Sequence, residues 1–208
     1  MWRWLARHPD WEKEPDADWD PIVACHAYVT PGGEELVLVD PLVPHDDRDR
    51  FWAELDADVA QHGAPQILLT VFFHERSSAE ILERYDGGAV WADERRIERL
   101  EEVESPNPFR AGDRLPGGVV AHDAVGRPEA LLWLEEHRAL FAGDLIHGSD
   151  DGVRLCPDDW LVKDVTPAGV KASLRPLLEL PIELVLPAHG PPVVENGREA
   201  LARALEAT

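Results

Sequence analysis

The stretch from Pro65 to Tyr85, PQILLTVFFHERSSAEILERY, constrains the chain more than any other. It opens on a continuously apolar run, Ile67-Leu68-Leu69, the pattern of a short strand covered on both faces. The run breaks into a polar knot, Phe73-His74-Glu75-Arg76-Ser77-Ser78, then resumes with Ala79, Ile81, Leu82 and Tyr85 at helical spacing. Ser77 or Ser78 is available as the N-cap. Strand, polar turn and helix make one βα unit, and open α/β sheets place their ligands beyond the carboxyl ends of strands. The polar knot is therefore the first place to look for chemistry.

The rest of the chain repeats this grammar. Residues 22–30 and 35–40 read as a hairpin around Pro31-Gly32-Gly33. Residues 46–61 carry Phe51, Leu55 and Val59 on one helical face. A strand at 89–91, an acidic helix at 93–102 and a linker at 105–108 follow. Strands are expected at 118–122, 129–134 and 139–142, then a long irregular loop over 147–167. A helix (170–178), a strand (182–186), a Gly/Pro/His turn (187–192) and a last helix (195–207) complete the pattern. A β-rich block followed by an α/β block, twice over, predicts an α+β fold of the four-layer αββα sandwich type. The 208 residues are read as a single domain. Residues 1–20 form a Trp-rich N-terminal extension in which Trp2, Trp4, Trp11 and Trp19 pack on the body or supply an interaction surface, a homodimer included.

Charge narrows the function. With 41 acidic against 20 basic side chains the formal net charge is −21, which excludes a nucleic-acid or anionic-membrane footprint. No apolar segment reaches membrane-spanning length, and the N-terminus lacks a signal-peptide core, so a cytoplasmic location is expected. Cys25 and Cys156 make neither a disulfide framework nor a thiolate metal motif, and the acids around Cys156 argue against a reactive thiol. His26, His122 and His147 have no spacing partners and read as structural.

Five segments in order carry a resemblance: Leu36-Val-Leu-Val-Asp40, Ile67-Leu-Leu-Thr70 with its polar turn, residues 119–132 around Gly126, Leu140-Phe-Ala-Gly-Asp144, and Leu186-Pro-Ala-His-Gly-Pro-Pro192. Over nearly its whole length the chain resembles the metallo-β-lactamase superfamily. The resemblance implies an αββα sandwich, a dinuclear zinc site at one edge, and hydrolysis of lactams, thioesters, lactones or phosphodiesters. It also implies a damaged site. Where the family has Thr-His-x-His-x-Asp-His, this chain has Thr70-Val71-Phe72-Phe73-His74-Glu75-Arg76, and the third histidine of the first zinc falls on Arg127. Glu75, Asp144 and His189 keep ligand-capable groups, whereas Val71, Phe73, Arg76 and Arg127 do not. His74, at a variable position of the motif, is expected to point away from the site.

Valine and phenylalanine offer no lone pair, and a guanidinium repels a metal. These substitutions predict that the first metal site is lost. Arg76 and Arg127 would act as counter-charges to Glu75 and Asp144 and anchor a small anionic ligand. The expected protein is metal-free and ligand-binding or weakly hydrolytic, with His189, Asp144 and Glu75 as catalytic residues. A second reading keeps one Zn, Mn or Fe ion on Glu75, Asp144 and His189 and makes the chain a mononuclear hydrolase. A third is a non-catalytic interaction protein using the tryptophans and the 147–167 loop.

Overall fold

The computed structural model describes residues 1–9 and 20–207. One sheet contains β1 (Trp2–Arg7), β2 (Ile22–Val29), β3 (Leu36–Val39), β4 (Gln66–Leu68), β5 (Ala89–Asp93) and β6 (Asn107–Phe109), in that spatial order. Its first three strands pair antiparallel and its last three add in parallel. The parallel steps are crossed by α1 (Arg48–His62) and α2 (Ser78–Arg84). The second sheet runs β12 (Leu184–Pro187), β9 (Ala139–Ala142), β8 (Glu129–Leu134), β7 (Val120–Ala124). It carries α3 (Pro167–Leu174) and α4 (Gly197–Glu206) on its outer face, beside a hairpin of β10 (Ile146–Ser149) and β11 (Gly152–Leu155).

Strand alternation generates the layers. On β3, Leu36 and Leu38 face Phe51, Leu55 and Ile81 of the helices, while Val37 and Val39 face the other sheet. Tyr28, Leu68, Phe109, Leu132, Phe141 and Leu186 fill the space between the sheets. Leu131, Leu140, Val185, Leu174 and Leu201 form the core under α3 and α4. The four-layer αββα sandwich expected from the sequence is what folds. No helix among the described residues is long and apolar enough to cross a membrane.

Local departures have local causes. The acidic helix expected at 93–102 is reduced to one 3₁₀ turn, Ile97–Arg99. Asp93 accepts from the Arg95 backbone N–H and guanidinium, and the Glu75 carboxylate takes the amides of Glu101, Glu102 and Val103. Side chains thus capture the amides a helix would use. The start of the 147–167 loop is instead the β10–β11 hairpin, turned at Asp150-Asp151 with Gly152 at φ 128°. The linker at 105–108 contributes strand β6. Trp2 and Trp4 lie half-buried against Phe51, their indole N–H groups donating to Asp58 and the Leu42 carbonyl, so they pack on the chain's own body. Trp11 and Trp19 lie outside the described residues.

Two features bear on the site's surroundings. The Gly148 amide donates to the His189 carbonyl, and a Cβ on Gly148 would sit 1.9 Å from the Pro191 oxygen. Strand β10 and the turn after β12 therefore touch backbone to backbone. Gly148→Ala is expected to cost about 1–3 kcal/mol by overpacking, and urea unfolding together with the His189 imidazole NMR signals would show both the loss and the displacement. His26, buried between the sheets against Phe141, has an Nε2 without a hydrogen-bond partner. Burial, with the Arg3 charge adding to it, pushes its pKa down from 6.5 to about 3. The unfolded chain then binds the proton more tightly, so this contribution to stability is present above pH 6.5 and lost as pH falls toward 3. Denaturant titrations at stepped pH should show a shallower acid loss for His26→Gln than for the parent.

Candidate metal centre

The site begins at Asp40, the residue that ends β3 in the left-handed conformation (φ 48°). Its carboxylate is buried and accepts from the Thr70 N–H (2.8 Å), the Thr70 hydroxyl (2.5 Å) and His74 Nδ1 (2.9 Å). Burial acts to raise its pKa, but the His74 and Arg76 charges and the Thr70 hydroxyl outweigh it and hold the group ionised. An ionised carboxylate only accepts, so the proton between them belongs to His74 Nδ1. That fixes the ring and aims Nε2 at Asp144.

His74 is fully buried on the 3₁₀ turn Phe72–His74, so the expectation that it points away from the site is corrected. Residues three apart eclipse in such a turn. His74 therefore returns to the side where Val71 stands, and supplies the imidazole that Val71 and Phe73 cannot. Its Nε2 lies 3.2 Å from Asp144 Oδ1, and His189 Nε2 lies 3.2 Å from the same oxygen. Oδ1 is thus a buried acceptor set between two ring nitrogens. The three donor atoms lie within 4.8 Å of one another. In a tetrahedral zinc site with bonds of about 2.0–2.1 Å, neighbouring donors sit about 3.3 Å apart. The donor set fits a single ion. Burial and the Arg76 charge oppose protonation of His74, yet Asp40 and Asp144 outweigh them and raise its pKa. Asp144 is held well below the carboxylate range; burial resists this, but the two imidazoles prevail. Both directions show a pocket that favours positive charge at this point.

Around this core the other expected residues take different places. Arg127 Nη2 donates to Asp144 Oδ2 (3.0 Å) and Nη1 to the Trp160 carbonyl (3.2 Å). Arg76, in the left-handed conformation at φ 43°, donates from Nη1 to the Asp40 carbonyl (3.1 Å) and so braces the turn from behind. Glu75 lines the same cleft, but its carboxylate is held by the backbone amides of Glu101, Glu102 and Val103 at 2.8, 2.9 and 2.6 Å. Those contacts, and not a metal or a reacting group, are what the structure gives it. Glu129, absent from the sequence reading, is completely buried and accepts from the Asp144 and Leu145 amides. Burial and the neighbouring Asp144 charge push its pKa up to about 8. All of this opens on a cleft of about 880 Å³ walled by Phe72, Phe73 and Trp160.

Comparison with solved structures places the architecture. A di-iron-bound form of TTHA1623 aligns at TM-score 0.65 and 24% identity, covering 88% of this chain and 93% of that one. The metallo-β-lactamase family protein TTHA1429 from Thermus thermophilus aligns at 0.64 and 16%, covering 98% and 78%. The metallo-β-lactamase FIM-1 from Pseudomonas aeruginosa, in a mono-zinc form, aligns at 0.60 and 17%, covering 89% and 90%. The fold is that of the metallo-β-lactamases. No protein-family model and no curated protein matches the sequence.

The expectation of a cofactor-free centre is overturned. His74, Asp144 and His189 form a ready donor set, and a metallo-β-lactamase-fold neighbour of this chain is a di-iron protein. Among the described residues the group able to hold an ion is His74, Asp144 and His189, while the Glu75 carboxylate is taken up by three backbone amides. A usable signal was in the sequence: Thr70 and His74 follow a strand parallel to one that ends in Asp40, so the three meet at one sheet edge.

If Glu75 serves the backbone, its loss should unfold without demetallating. Glu75→Gln is expected to cost about 2–3 kcal/mol, the scale of a charged group's lost hydrogen bonds, with metal content per folded chain unchanged by elemental analysis. A Glu75→Gln protein of parental stability that had lost its metal would restore the ligand role.

Proposed function

We propose that the chain is a metallo-β-lactamase-fold hydrolase working with one metal ion on His74, Asp144 and His189, and acting on a small anionic substrate. One observation carries the reading: the Asp40–His74 hydrogen bond places a proton on Nδ1 and turns Nε2 to within 3.2 Å of an Asp144 oxygen that His189 Nε2 approaches equally closely. Metal-bound histidines are oriented in this way, the outer nitrogen donating to a carboxylate. Two nitrogens and one oxygen, with no thiolate, suit Zn, Fe or Mn. The di-iron and mono-zinc neighbours show that the fold accommodates such ions in other sequences.

A bound ion there would supply an ionised water near neutral pH. The chain's own residues do the rest. Asp40 keeps His74 in one tautomer, and Glu129 holds the peptide at Asp144 and Leu145 so that the carboxylate cannot swing. Phe73 and Trp160 wall the cleft with apolar surface beside Asp144 and His189. Arg76, Arg99 and Arg127 line the cleft beside Glu75, Glu101, Glu102 and Asp144; the Glu75 and Asp144 carboxylates already have partners, so the arginines nearest them are what an anion would meet.

The test is metal stoichiometry. Stripped protein given Zn(II), Mn(II) or Fe(II) and desalted is expected to retain one equivalent. His74→Ala should lose it, and Asp40→Asn should weaken retention about 10- to 100-fold. A parent chain that retains none of the three ions would end the proposal.

A further inference from the structure

Arg127 sits where no ordinary structural arginine needs to be. Its guanidinium lies 5.6 Å from the Phe73 ring centroid and 5.3 Å from that of Trp160, a cation clamped between two aromatic walls of the cleft. One terminal nitrogen donates to Asp144 Oδ2 and the other to the Trp160 carbonyl, so its plane is fixed. Each terminal nitrogen carries two N–H groups. Among the described residues each has one recorded acceptor, which leaves one donor per nitrogen for a molecule in the cleft. Nε is buried without a hydrogen bond, 3.8 Å from Glu129 Oε2. Glu129 meanwhile accepts the Asp144 and Leu145 amides.

The other two arginines of the cleft differ. Arg76 lines the cleft but donates to the Asp40 backbone carbonyl, away from the Asp144 carboxylate, and Arg99 lies over the Phe72 ring (4.4 Å) on an exposed turn. Only Arg127 touches the Asp144 carboxylate, with Oδ1 facing the two imidazoles and Oδ2 facing the guanidinium.

We infer that Arg127 is the second cation of the centre: it holds Asp144 Oδ2 with one hand and binds an oxyanion beside the metal-ligating side chains with the other. Its substrate is a carbonyl or phosphoryl compound whose oxygen carries negative charge on binding or during hydrolysis. Preorganised N–H donors aimed at such an oxygen are an efficient form of transition-state stabilisation. The inference rests on the single-metal reading for its place in catalysis, but the anion site is built from the chain's own residues.

The probe is inorganic phosphate, titrated calorimetrically into zinc-loaded and into metal-free protein, with zinc counted in parallel. Arg127→Met is expected to keep one zinc and to weaken phosphate at least tenfold. Arg127→Lys, which keeps the charge but loses the fork, should fall between the parent and Arg127→Met, and millimolar guanidinium should restore part of the loss in Arg127→Gly. Phosphate binding by Arg127→Met within twofold of the parent would overturn the inference. So would joint loss of zinc and phosphate in both Arg127→Met and Arg127→Lys, which would make Arg127 only a brace for Asp144. A parent chain binding no zinc would sink the single-metal reading alone, because the metal-free titrations still report on Arg127.

Discussion

The centre depends on one buried carboxylate. Asp40 ends β3, and its three hydrogen bonds reach the end of β4 and the turn beyond, so it joins two parallel strands at the edge where the cleft opens. A buried carboxylate is tolerable only when its oxygens are satisfied, and here they are satisfied by the groups that must be oriented. Thr70 fixes Asp40, Asp40 fixes the His74 tautomer, and the tautomer decides which nitrogen faces Asp144. Such networks are cooperative: a partly satisfied one costs more than its absence. The two sheets are stitched at this same edge, where the Ala130 amide donates to the Thr70 carbonyl and Val71 bridges to Glu129. The scaffold and the site share their most rigid contacts.

Charge explains the arginines. Asp40 and Asp144 are two fixed anions in a nearly dry region, and Arg76 and Arg127 are two fixed cations, each bonded to one end of that pair. Glu129, pushed up to about 8, carries little charge at neutral pH, and Glu75 is held by three amides. A divalent ion bound there would add a surplus of positive charge to this cluster. In a site of low effective dielectric such a surplus attracts anions strongly, while the acidic exterior repels them.

Much of this was legible before the structure. The layers followed from strand alternation and from the order of blocks, because Leu36 and Leu38 against Val37 and Val39 already encode two faces. Asp144, His189 and Arg127 were legible as members of one site because each follows an apolar strand. His74 was not, since reading by motif position assumes an extended turn, whereas a 3₁₀ turn rotates the chain by about 120° per residue and exchanges which residue faces inward. Glu75 was misplaced for a related reason: nothing local indicated that residues 101–103 would present three amides to it. The same interaction cost the reading a helix at 93–102. Long-range backbone partners are the information a periodicity argument lacks.

Val71, Phe73 and Arg127 stand where the resemblance places site-one histidines, and Phe73 and Arg127 face each other in the cleft wall. Val71 is fully buried and Phe73 forms part of the wall against which the Arg127 guanidinium stacks. An imidazole at either place would bring polar nitrogen where the guanidinium now needs an apolar face. An aromatic ring beside a cation returns part of the solvation that burial removes, so Phe73 makes Arg127 tolerable and Arg127 gives Phe73 a partner. Asp144 keeps a cation-facing role for each oxygen, imidazoles on one side and guanidinium on the other.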